Sequence, residues 1–425
     1  AFVSANFVWK MRYFVDGSYR LSGSSKFGAN NRYAPFWSAG MGYNLHNEDF
    51  IKKLGWVNSL RLRGSYGYTG SVKFSSYQAV TTYHYSNNYL HYSGVGAIPY
   101  GMSNPDLTWQ TTKKMNIGLT SSLLGERLNI NFDYYREMTD DMLIDMSLPP
   151  SSGATSVKSN IGRQKSNGYE FSVWAKLLDK NDKMWSVSVN GLHRSTTILG
   201  ISDALKRWNS ENAKSTNTAS PRLQYREGES PTAIYAVRSA GIDPASGKEI
   251  FIKTDGSYTY TYDVKDQVNC GDATPTLQGS ISSQFRYKRF LLSVNFSYRF
   301  GGKMYNTTRA AKIENIDPQK NADIRAFTER WSRPGDVVPY LNISTTGGKS
   351  YVYTDRFVEK DNEFWFSGLQ LRYDIPGEWA KKVFAERAYL SVGTQDLFRL
   401  TSAKYERGTA YPYSRDVNFT LNITF

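Results

Sequence analysis

The stretch that decides the fold is Val417-Asn418-Phe419-Thr420-Leu421-Asn422-Ile423-Thr424-Phe425, in which apolar and polar side chains alternate strictly. A period of two residues places the apolar side chains on one face of a β-strand and the polar side chains on the other. The same rhythm returns in Leu292-Ser293-Val294-Asn295-Phe296 and in Leu128-Asn129-Ile130-Asn131-Phe132. The pattern predicts an antiparallel sheet with one apolar and one polar face.

Thirteen segments along the chain show this alternation, and most are about 9–13 residues long. They span residues 2–10, 11–22, 36–45, 57–69, 113–123, 127–138, 166–178, 184–198, 276–287, 289–300, 363–375, 386–398 and 415–425. A tilted strand of this length crosses the hydrocarbon core of a bilayer. We therefore predict an all-β fold, a transmembrane antiparallel β-barrel.

The connections between these segments alternate between short and long. Short ones fall at 125–126 and 287–288, and the longest run near 70–112, 199–275 and 301–362. Barrels of the bacterial outer membrane have short periplasmic turns and long extracellular loops, so we expect the three long loops to be extracellular. The alternative is a soluble β-sandwich whose apolar faces pack together.

Composition excludes several other classes of protein. The 425 residues include 31 Tyr, 22 Phe and 10 Trp, too many aromatics for a disordered chain. The single cysteine, Cys270, excludes a disulfide framework and a Cys-based metal cluster. The net charge of +14 comes from scattered Lys and Arg, so we expect contacts with lipid and lipopolysaccharide phosphates rather than with nucleic acid.

An odd number of strands has a consequence for the barrel. Thirteen antiparallel strands cannot close into a ring. Each unpaired edge in lipid would leave backbone N–H and C=O groups without hydrogen bonds, at a cost of several kcal/mol. The chain also starts inside a strand pattern that contains Phe2, Ala5, Phe7 and Trp9. We expect it to be the C-terminal part of a larger barrel protein, completed by strands outside this chain.

Several longer motifs together resemble a known family. They are Asp16-Gly17-Ser18, Ser24-Ser25-Lys26-Phe27-Gly28, Leu60-Arg61-Leu62-Arg63-Gly64-Ser65-Tyr66-Gly67, Asn104-Pro105-Asp106-Leu107-Thr108-Trp109, Asp133-Tyr134-Tyr135, Asn160-Ile161-Gly162, Asn167-Gly168-Tyr169-Glu170-Phe171, Arg330-Trp331, Asp396-Leu397-Phe398 and the last seven residues. In this order they resemble the C-terminal part of the SusC/RagA-like TonB-dependent outer-membrane transporters of Bacteroidetes. The resemblance implies a barrel of about 22 strands around an N-terminal plug, so that about nine strands and the plug lie outside this chain.

The resemblance also implies a function and partners. Members of the family import oligomeric nutrients, mostly oligosaccharides and sometimes peptides, with energy from TonB. They work beneath a SusD-like surface lipoprotein that acts as a lid, and two such transporter–lid pairs can form a dimer. A passive porin or adhesion barrel and an outer-membrane barrel enzyme remain alternatives.

Catalytic and metal-binding motifs are absent from the sequence. It contains no G-x-S-x-G, H-E-x-x-H or P-loop pattern, so we do not expect an enzyme. Many members of the family carry a calcium-like acidic run in the long loop near residues 254–260, but here that stretch lacks three spaced oxygen ligands. We therefore predict no metal and no cofactor.

Four tyrosines of the first long loop are candidates for substrate contact. Tyr83, Tyr85, Tyr89 and Tyr92 lie among Ser, Asn and Gly. Tyrosine rings stack on apolar faces of sugars or peptides and lose little side-chain entropy when they do. The alternative is that these rings pack the loop against its neighbours or against the lid.

The third long loop contains a helix-like stretch. Asp317 is a suitable N-cap and Pro318 a suitable first residue. Ala322, Phe327 and Trp331 would then share an apolar face, which predicts docking of the lid protein at Phe327 and Trp331. The alternative is local packing of the loop on the barrel rim.

The final residue and two carboxylates complete the candidates. Phe425 ends an amphipathic strand and resembles the signal that the barrel-assembly machinery reads, although an ordinary last strand has the same pattern. Asp133 and Glu170 lie on the polar face, where we expect them to pair with inward basic residues such as Arg299 or Lys176 rather than to act as acid and base.

Overall fold

The fold is taken from a computed structural model that describes residues 1–27, 31–72, 76, 80–92, 94–147, 156–160, 162–214, 220–317, 323–343, 352–403 and 414–425. These residues form one large antiparallel sheet and three small sheets in the long connections. No helix within the described ranges is long and apolar enough to cross a membrane.

The large sheet has fourteen strands, and thirteen of them follow one another in chain order, each antiparallel to the next. They are β1 (Phe2–Trp9), β2 (Tyr13–Gly23), β3 (Tyr33–Asn44), β4 (Val57–Ser71), β5 (Gln110–Leu123), β6 (Leu128–Asp140), β7 (Gly162–Lys180), β8 (Lys183–Ile201), β9 (Leu277–Tyr287), β10 (Phe290–Tyr305), β11 (Val358–Asp374), β12 (Arg387–Thr394) and β13 (Val417–Thr424). Every predicted segment is one of these strands, which confirms the predicted antiparallel all-β fold.

One predicted strand is interrupted. The segment predicted at 386–398 is regular only as far as Thr394, the end of β12. Asp396 then adopts a φ of 53°, in the left-handed region that breaks a strand. The chain continues as the short strand Arg399–Thr401, which pairs with β11 instead of β13.

Tight turns set the register of the strands. Lys10 and Met11 join β1 to β2 with φ values of 50° and 56°, and Asn181 and Asp182 join β7 to β8 with 52° and 60°. Two successive left-handed residues form the hairpin turn whose twist matches that of the flanking strands. A fixed register keeps every side chain on its intended face, because a slip of one residue would exchange the faces.

The apolar face of the sheet is open. Phe7, Val15 and Met41 lie opposite one another on β1, β2 and β3. Met41 is 68% exposed and Phe419 on β13 is 73% exposed. A sandwich would bury these side chains against a second layer, whereas a membrane strand leaves them for lipid. The open face therefore contradicts the sandwich alternative.

Aromatic side chains cluster where the strands meet the short turns. The rings of Trp9 and Tyr13 stack at 5.7 Å, and Tyr13 stacks on Tyr43 at 4.7 Å. Across the sheet, Phe290 packs against Tyr373 at 4.8 Å. Such a row forms the aromatic girdle at the edge of the hydrocarbon core. We refer to this side as the short-turn end and to the other as the long-loop end.

The long connections, which are predicted as loops, contain short strands. They are the hairpin Thr82–His91 with Gly94–Gly101, the pair Leu143–Ser147 with Ser156–Asn160, and a four-stranded sheet of Ala233–Ile242, Glu249–Ile252, Tyr258–Thr259 and Gln267–Asp272. They are short and do not alternate cleanly, so periodicity alone did not predict them.

Candidate functional site: the polar face and the loop unit

A hollow of about 380 Å³ opens on the polar face of the sheet. Its polar lining residues are Asn131, Asp133, Glu170, Ser172, Asn190, Gln278 and Ser280. The strand register brings them together, since Ser172 lies opposite Asn131 and Asn190, and Asn190 lies opposite Ser280. The amide, hydroxyl and carboxylate groups in this hollow can donate several hydrogen bonds to a polar ligand and accept several from it.

Asp133 pairs with a basic side chain, as predicted, but the partner is neither Arg299 nor Lys176. It accepts two hydrogen bonds from Nη2 of Arg63, at 2.8 and 2.6 Å. Arg63 reaches Asp133 from two strands away because Gly118 lies between them, and a Cβ there would come within 2.4 Å of the Asp133 carboxylate. The ion pair therefore depends on the missing side chain of Gly118.

Glu170 does not pair as expected. It lies between the first hollow and a second one of about 290 Å³. The neighbouring cations Lys114 and Arg194 already form ion pairs with Glu137, at 2.7 and 3.8 Å respectively. Within the described part of the chain Glu170 has no ion pair. Its carboxylate is therefore left as an acceptor for a polar guest.

Two of the long connections fold together at the long-loop end. We name the four-stranded sheet of 233–272 and the segments 305–316, 326–340 and 353–357 the loop unit. Its buried core consists of Tyr305, Ala310, Ile313, Ile316, Ala326, Tyr340, Tyr353 and Phe357. Main-chain hydrogen bonds join the two connections, as from the Val237 N–H to the Tyr353 carbonyl at 2.9 Å.

A buried ion cluster fastens the loop unit. Arg356 donates to both carboxylate oxygens of Glu249 at 2.7 and 2.8 Å and to Glu314 at 3.0 Å. The side chains are only 12%, 3% and 4% exposed in that order. Paired two-oxygen contacts of this kind are among the stronger hydrogen bonds in proteins. The cluster joins residues up to 107 positions apart in the chain.

Glu314 accepts fewer hydrogen bonds from Arg356 than Glu249 does. Arg356 contacts only its Oε1, and Oε2 has no hydrogen-bond partner within the described residues. Burial raises the pKa of Glu314 above its usual range, against the opposing effect of Arg356. The folded loop unit therefore makes Glu314 easier to protonate than it is in the unfolded chain, while the ionised form is the one that pairs with Arg356.

Arg330 of the Arg-Trp motif joins separate segments of the third long connection. The buried guanidinium of Arg330 donates to the carbonyls of Ala326, Leu341, Glu314 and Ile313. An arginine that serves several carbonyls satisfies groups that regular secondary structure leaves unpaired.

Trp331 and Phe327 take up different positions. The described helix is only Arg325–Thr328, so Trp331 lies beyond it and the predicted shared face is wrong. Trp331 donates from Nε1 to the Pro244 carbonyl at 2.9 Å, and its ring lies where a Cβ on Gly247 would come within 2.6 Å. Phe327 is exposed. Pro318 and Ala322 of the prediction lie outside the described residues.

The candidate tyrosines lie on and beside a hairpin. Tyr83, Tyr85 and Tyr89 belong to the strand Thr82–His91, and Tyr92 follows it directly. Tyr83, Tyr85 and Tyr92 are 65%, 80% and 96% exposed. The side chain of Tyr89 lies outside the described part of the structure. The exposed rings are accessible to a ligand or partner, and their predicted role stays a prediction.

The family motifs at 104–109 and 160–162 contact each other at the rim of the sheet. Asn160 donates to the Thr108 carbonyl and accepts from the Thr108 N–H, both at 2.9 Å, and it donates to the Asp141 carbonyl at 3.0 Å. Leu107 and Trp109 lie in a buried cluster at the same place. These motifs therefore stabilise the strand ends.

The loop stretch at 254–260 forms an ordinary turn. Asp255 accepts from the N–H and Oγ of Ser257 at 2.8 and 2.7 Å. No group of three His, Cys, Asp or Glu in the described ranges is arranged to hold a metal ion. The prediction that no metal or cofactor binds stays a prediction.

An antiparallel sheet with a lipid-facing apolar side, an aromatic girdle, a polar opposite face and long connections at one end is the wall of an outer-membrane β-barrel. The chain belongs to the TonB-dependent receptor family, because residues 1–328 match the family described as TonB dependent receptor-like, beta-barrel. This confirms the family resemblance of the motifs and the location in the outer membrane.

Named relatives agree with this assignment. TonB-dependent receptor P39 of Formosa agariphila is 25% identical over 98% of this chain and 45% of its own length. TonB-dependent receptor SusC of Bacteroides thetaiotaomicron is 24% identical over 97% of this chain and 42% of its own length. The chain thus spans less than half the length of these relatives.

Solved structures of the RagAB peptide transporter have the same fold as this chain. One matches with a TM-score of 0.79 at 25% identity over 95% of this chain and 44% of its own length. The same transporter in a "closed-closed" state matches with a TM-score of 0.80 at 26% identity. This likeness confirms the antiparallel barrel architecture.

Proposed function

We propose that the protein containing this chain imports oligomeric nutrients across the outer membrane with energy from TonB, and that it has no catalytic role. Oligosaccharides are the substrates we favour. The observation that carries the import proposal is the hollow around Glu170, in which amides, hydroxyls and a carboxylate that has no ion pair among the described residues lie together. Sugar hydroxyls both donate and accept hydrogen bonds, and they match such a mixed lining.

Peptides are the second candidate, and one observation favours them. The RagAB structures, which resemble this chain at TM-scores of 0.79 and 0.80, are described as a peptide transporter and importer. Peptide main chains also donate and accept hydrogen bonds, so the polar hollow is compatible with either substrate. A direct comparison of the two substrate classes is therefore needed.

The exposed tyrosine hairpin supports a second substrate contact at the long-loop end. We place this end outside the cell, because long connections of outer-membrane barrels are extracellular. Tyr83, Tyr85, Tyr89 and Tyr92 would then meet incoming substrate before the polar hollow does. Their rings offer broad stacking surfaces to sugars and to apolar peptide side chains.

A SusD-like surface lipoprotein would cover the loop unit. Phe327, Ile324 and Val337 are exposed on the described part of the third long connection, and they give a partner apolar contact area. Trp331 would act indirectly by holding this connection against Gly247. Contact with TonB, and a dimer of transporter–lid pairs, would also involve parts of the protein outside this chain.

Growth of a deletion strain tests the import proposal. The strain is compared with its complemented parent on a panel of single oligosaccharides and oligopeptides as sole nutrient. We expect loss of growth on at least one oligosaccharide and restoration by the full-length gene. Loss on peptides only would favour the second candidate, and unchanged growth on every nutrient would refute import.

Point variants then locate the contacts. Tyr83→Ala combined with Tyr85→Ala should slow growth on the limiting nutrient, whereas Tyr33→Ala, an exposed tyrosine on the lipid-facing side of β3, should not. Phe327→Ala should reduce the lipoprotein that copurifies with the transporter, and Phe384→Ala at the short-turn end is the matched control. Equal effects of variant and control would contradict the assigned contacts.

A further inference from the structure

A hollow of about 400 Å³ interrupts the apolar face on β2 to β5. Gly64 forms its floor, and a Cβ added there would meet nothing closer than the Asn116 carbonyl at 4.0 Å. Met41 and Ile117 lie opposite Gly64 on the neighbouring strands, and Val15 lies opposite Met41. The hollow is thus a gap in a row of apolar side chains that face the lipid.

The hollow leads toward charged groups at the short-turn end. Tyr13 and Tyr43, which also line it, stack on each other at 4.7 Å. The Tyr43 hydroxyl donates to Glu48 at 2.8 Å, and Glu48 also pairs with Arg12 at 3.0 Å. An apolar chain lying in the hollow would therefore have its polar end beside the short connections that follow β1 and β3.

These two connections carry an excess of positive charge. Their charged residues are Lys10, Arg12, Glu48, Asp49, Lys52 and Lys53. Four are basic and two acidic, and the only ion pair among the six engages Arg12 and Glu48. Lys10 lies over the ring of Trp9 at 4.9 Å, as expected for a cation at the level of lipid headgroups.

The second connection also has the character of a membrane-interface segment. The short helix Asp49–Lys52 is followed by Leu54 and Trp56, and these two side chains and Phe50 within the helix are exposed. Apolar side chains beside lysines are typical of a segment that lies in the headgroup layer. Side chains suited to hydrocarbon and side chains suited to headgroups therefore lie together at this point of the barrel wall.

We propose that this hollow is a binding site for one anionic phospholipid. One acyl chain fills the gap at Gly64, and the phosphate lies between Lys10 and Lys53 beside Trp9. The gap explains why an acyl chain is held there, because contacts with its walls are lost if it stays empty. The positive charge explains the preference for an anionic headgroup. The site is independent of the transported substrate.

Lipid retention by the purified full-length protein tests the apolar half of the site. The protein is extracted in detergent, exchanged against an equal mixture of phosphatidylglycerol and phosphatidylcholine, and examined by native mass spectrometry. We expect one retained phosphatidylglycerol in the wild type and its loss in Gly64→Leu. Gly17→Leu is the control, because Gly17 lies on the same apolar face with nothing within 4 Å of an added Cβ.

Charge variants test the headgroup half without touching the hollow. Lys10→Asn suits the left-handed backbone at this position and is combined with Lys53→Gln. Retention should fall about fivefold for each charge removed. Lys288→Asn with Lys382→Gln is the control, since Lys288 has the same backbone region and Lys382 the same helix-end position as Lys53.

The outcomes are distinguishable. Heat-modifiable mobility on gels verifies that each variant barrel is folded. Equal retention by Gly64→Leu and Gly17→Leu would overturn the proposal, and so would equal retention of the two lipids by the wild type. Because the readout is bound lipid, a failure of the import proposal would leave this result unaffected.

Discussion

Removal of the Arg356 side chain should open the loop unit while leaving the barrel wall folded. Arg356→Leu would leave Glu249 and Glu314 buried at 3% and 4% exposure without their shared cation. Breaking a buried ion pair by removing one partner costs about 3–5 kcal/mol. At about 1.4 kcal/mol per factor of ten, the opening equilibrium should rise by roughly two to four orders of magnitude.

Hydrogen exchange of the full-length protein in detergent measures this directly. Protection should fall in Glu249–Ile252 and Arg309–Glu314, whereas β8 serves as an internal reference for the wall. Arg333→Leu is the control in the same connection, because Arg333 is 84% exposed and its ion pair with Asp336 should contribute at most about 1 kcal/mol.

Restoration of charge balance gives a second check. Arg356→Leu combined with Glu249→Gln and Glu314→Gln removes the unpaired buried charges and should recover much of the lost protection. The reasoning is refuted if Arg356→Leu exchanges as slowly as the wild type, since the buried carboxylates would then not need the cation.

Two further outcomes are expected. Asn160→Ala should cost about 1–3 kcal/mol locally, because it leaves the Thr108 N–H and carbonyl unpaired, and faster exchange of the Thr108 amide would report it; unchanged exchange would contradict the rim contact. Because the pKa of Glu314 is raised in the folded loop unit, the folded state binds a proton more readily than the unfolded state. The stability of the loop unit is therefore greatest below the unfolded-state pKa of about 4.3, and it falls as the pH rises through the folded-state pKa. Protease resistance of the loop unit across that range should follow this trend, and Glu314→Gln should flatten it; a flat wild-type profile would show that Glu314 is not the titrating group.

The barrel wall was predictable from the sequence because the physical signal repeats along every strand. Membrane strands face lipid on one side and polar surroundings on the other, so the two-residue period persists in segments as separate as Leu128–Asp140 and Val417–Thr424. Prediction failed at the end of 386–398, because the regular strand stops at Thr394 and the left-handed residue Asp396 follows.

The loop unit was not predictable in the same way. Its strand Ala233–Ile242 lies in the middle of a small sheet and is largely buried, so the sequence is apolar with little alternation. Arg356 meets Glu249 and Glu314 across separations of 107 and 42 residues, and nothing in the local sequence of any of them indicates a partner.

The site was predictable only as far as residue type. The preference of Asp133 for an inward cation followed from its polar face, but the choice of Arg63 depends on the register of three strands. Gly118 leaves the space that the Arg63 guanidinium occupies, and this role can be recognised only when the strand register is known. Trp331 likewise is of a residue type common at docking surfaces, yet its indole N–H donates a hydrogen bond to the Pro244 carbonyl.

The tie between Arg356 and Glu249 decides how the mouth of the barrel can move. Since Arg356 of the third long connection binds Glu249 of the second, neither connection can lift away alone without leaving a buried carboxylate unpaired. A wider entrance would instead require the whole assembly to swing as a rigid flap. The pivots of that swing would be the points where the chain leaves the wall, at Ile201, Leu277, Tyr305 and Val358.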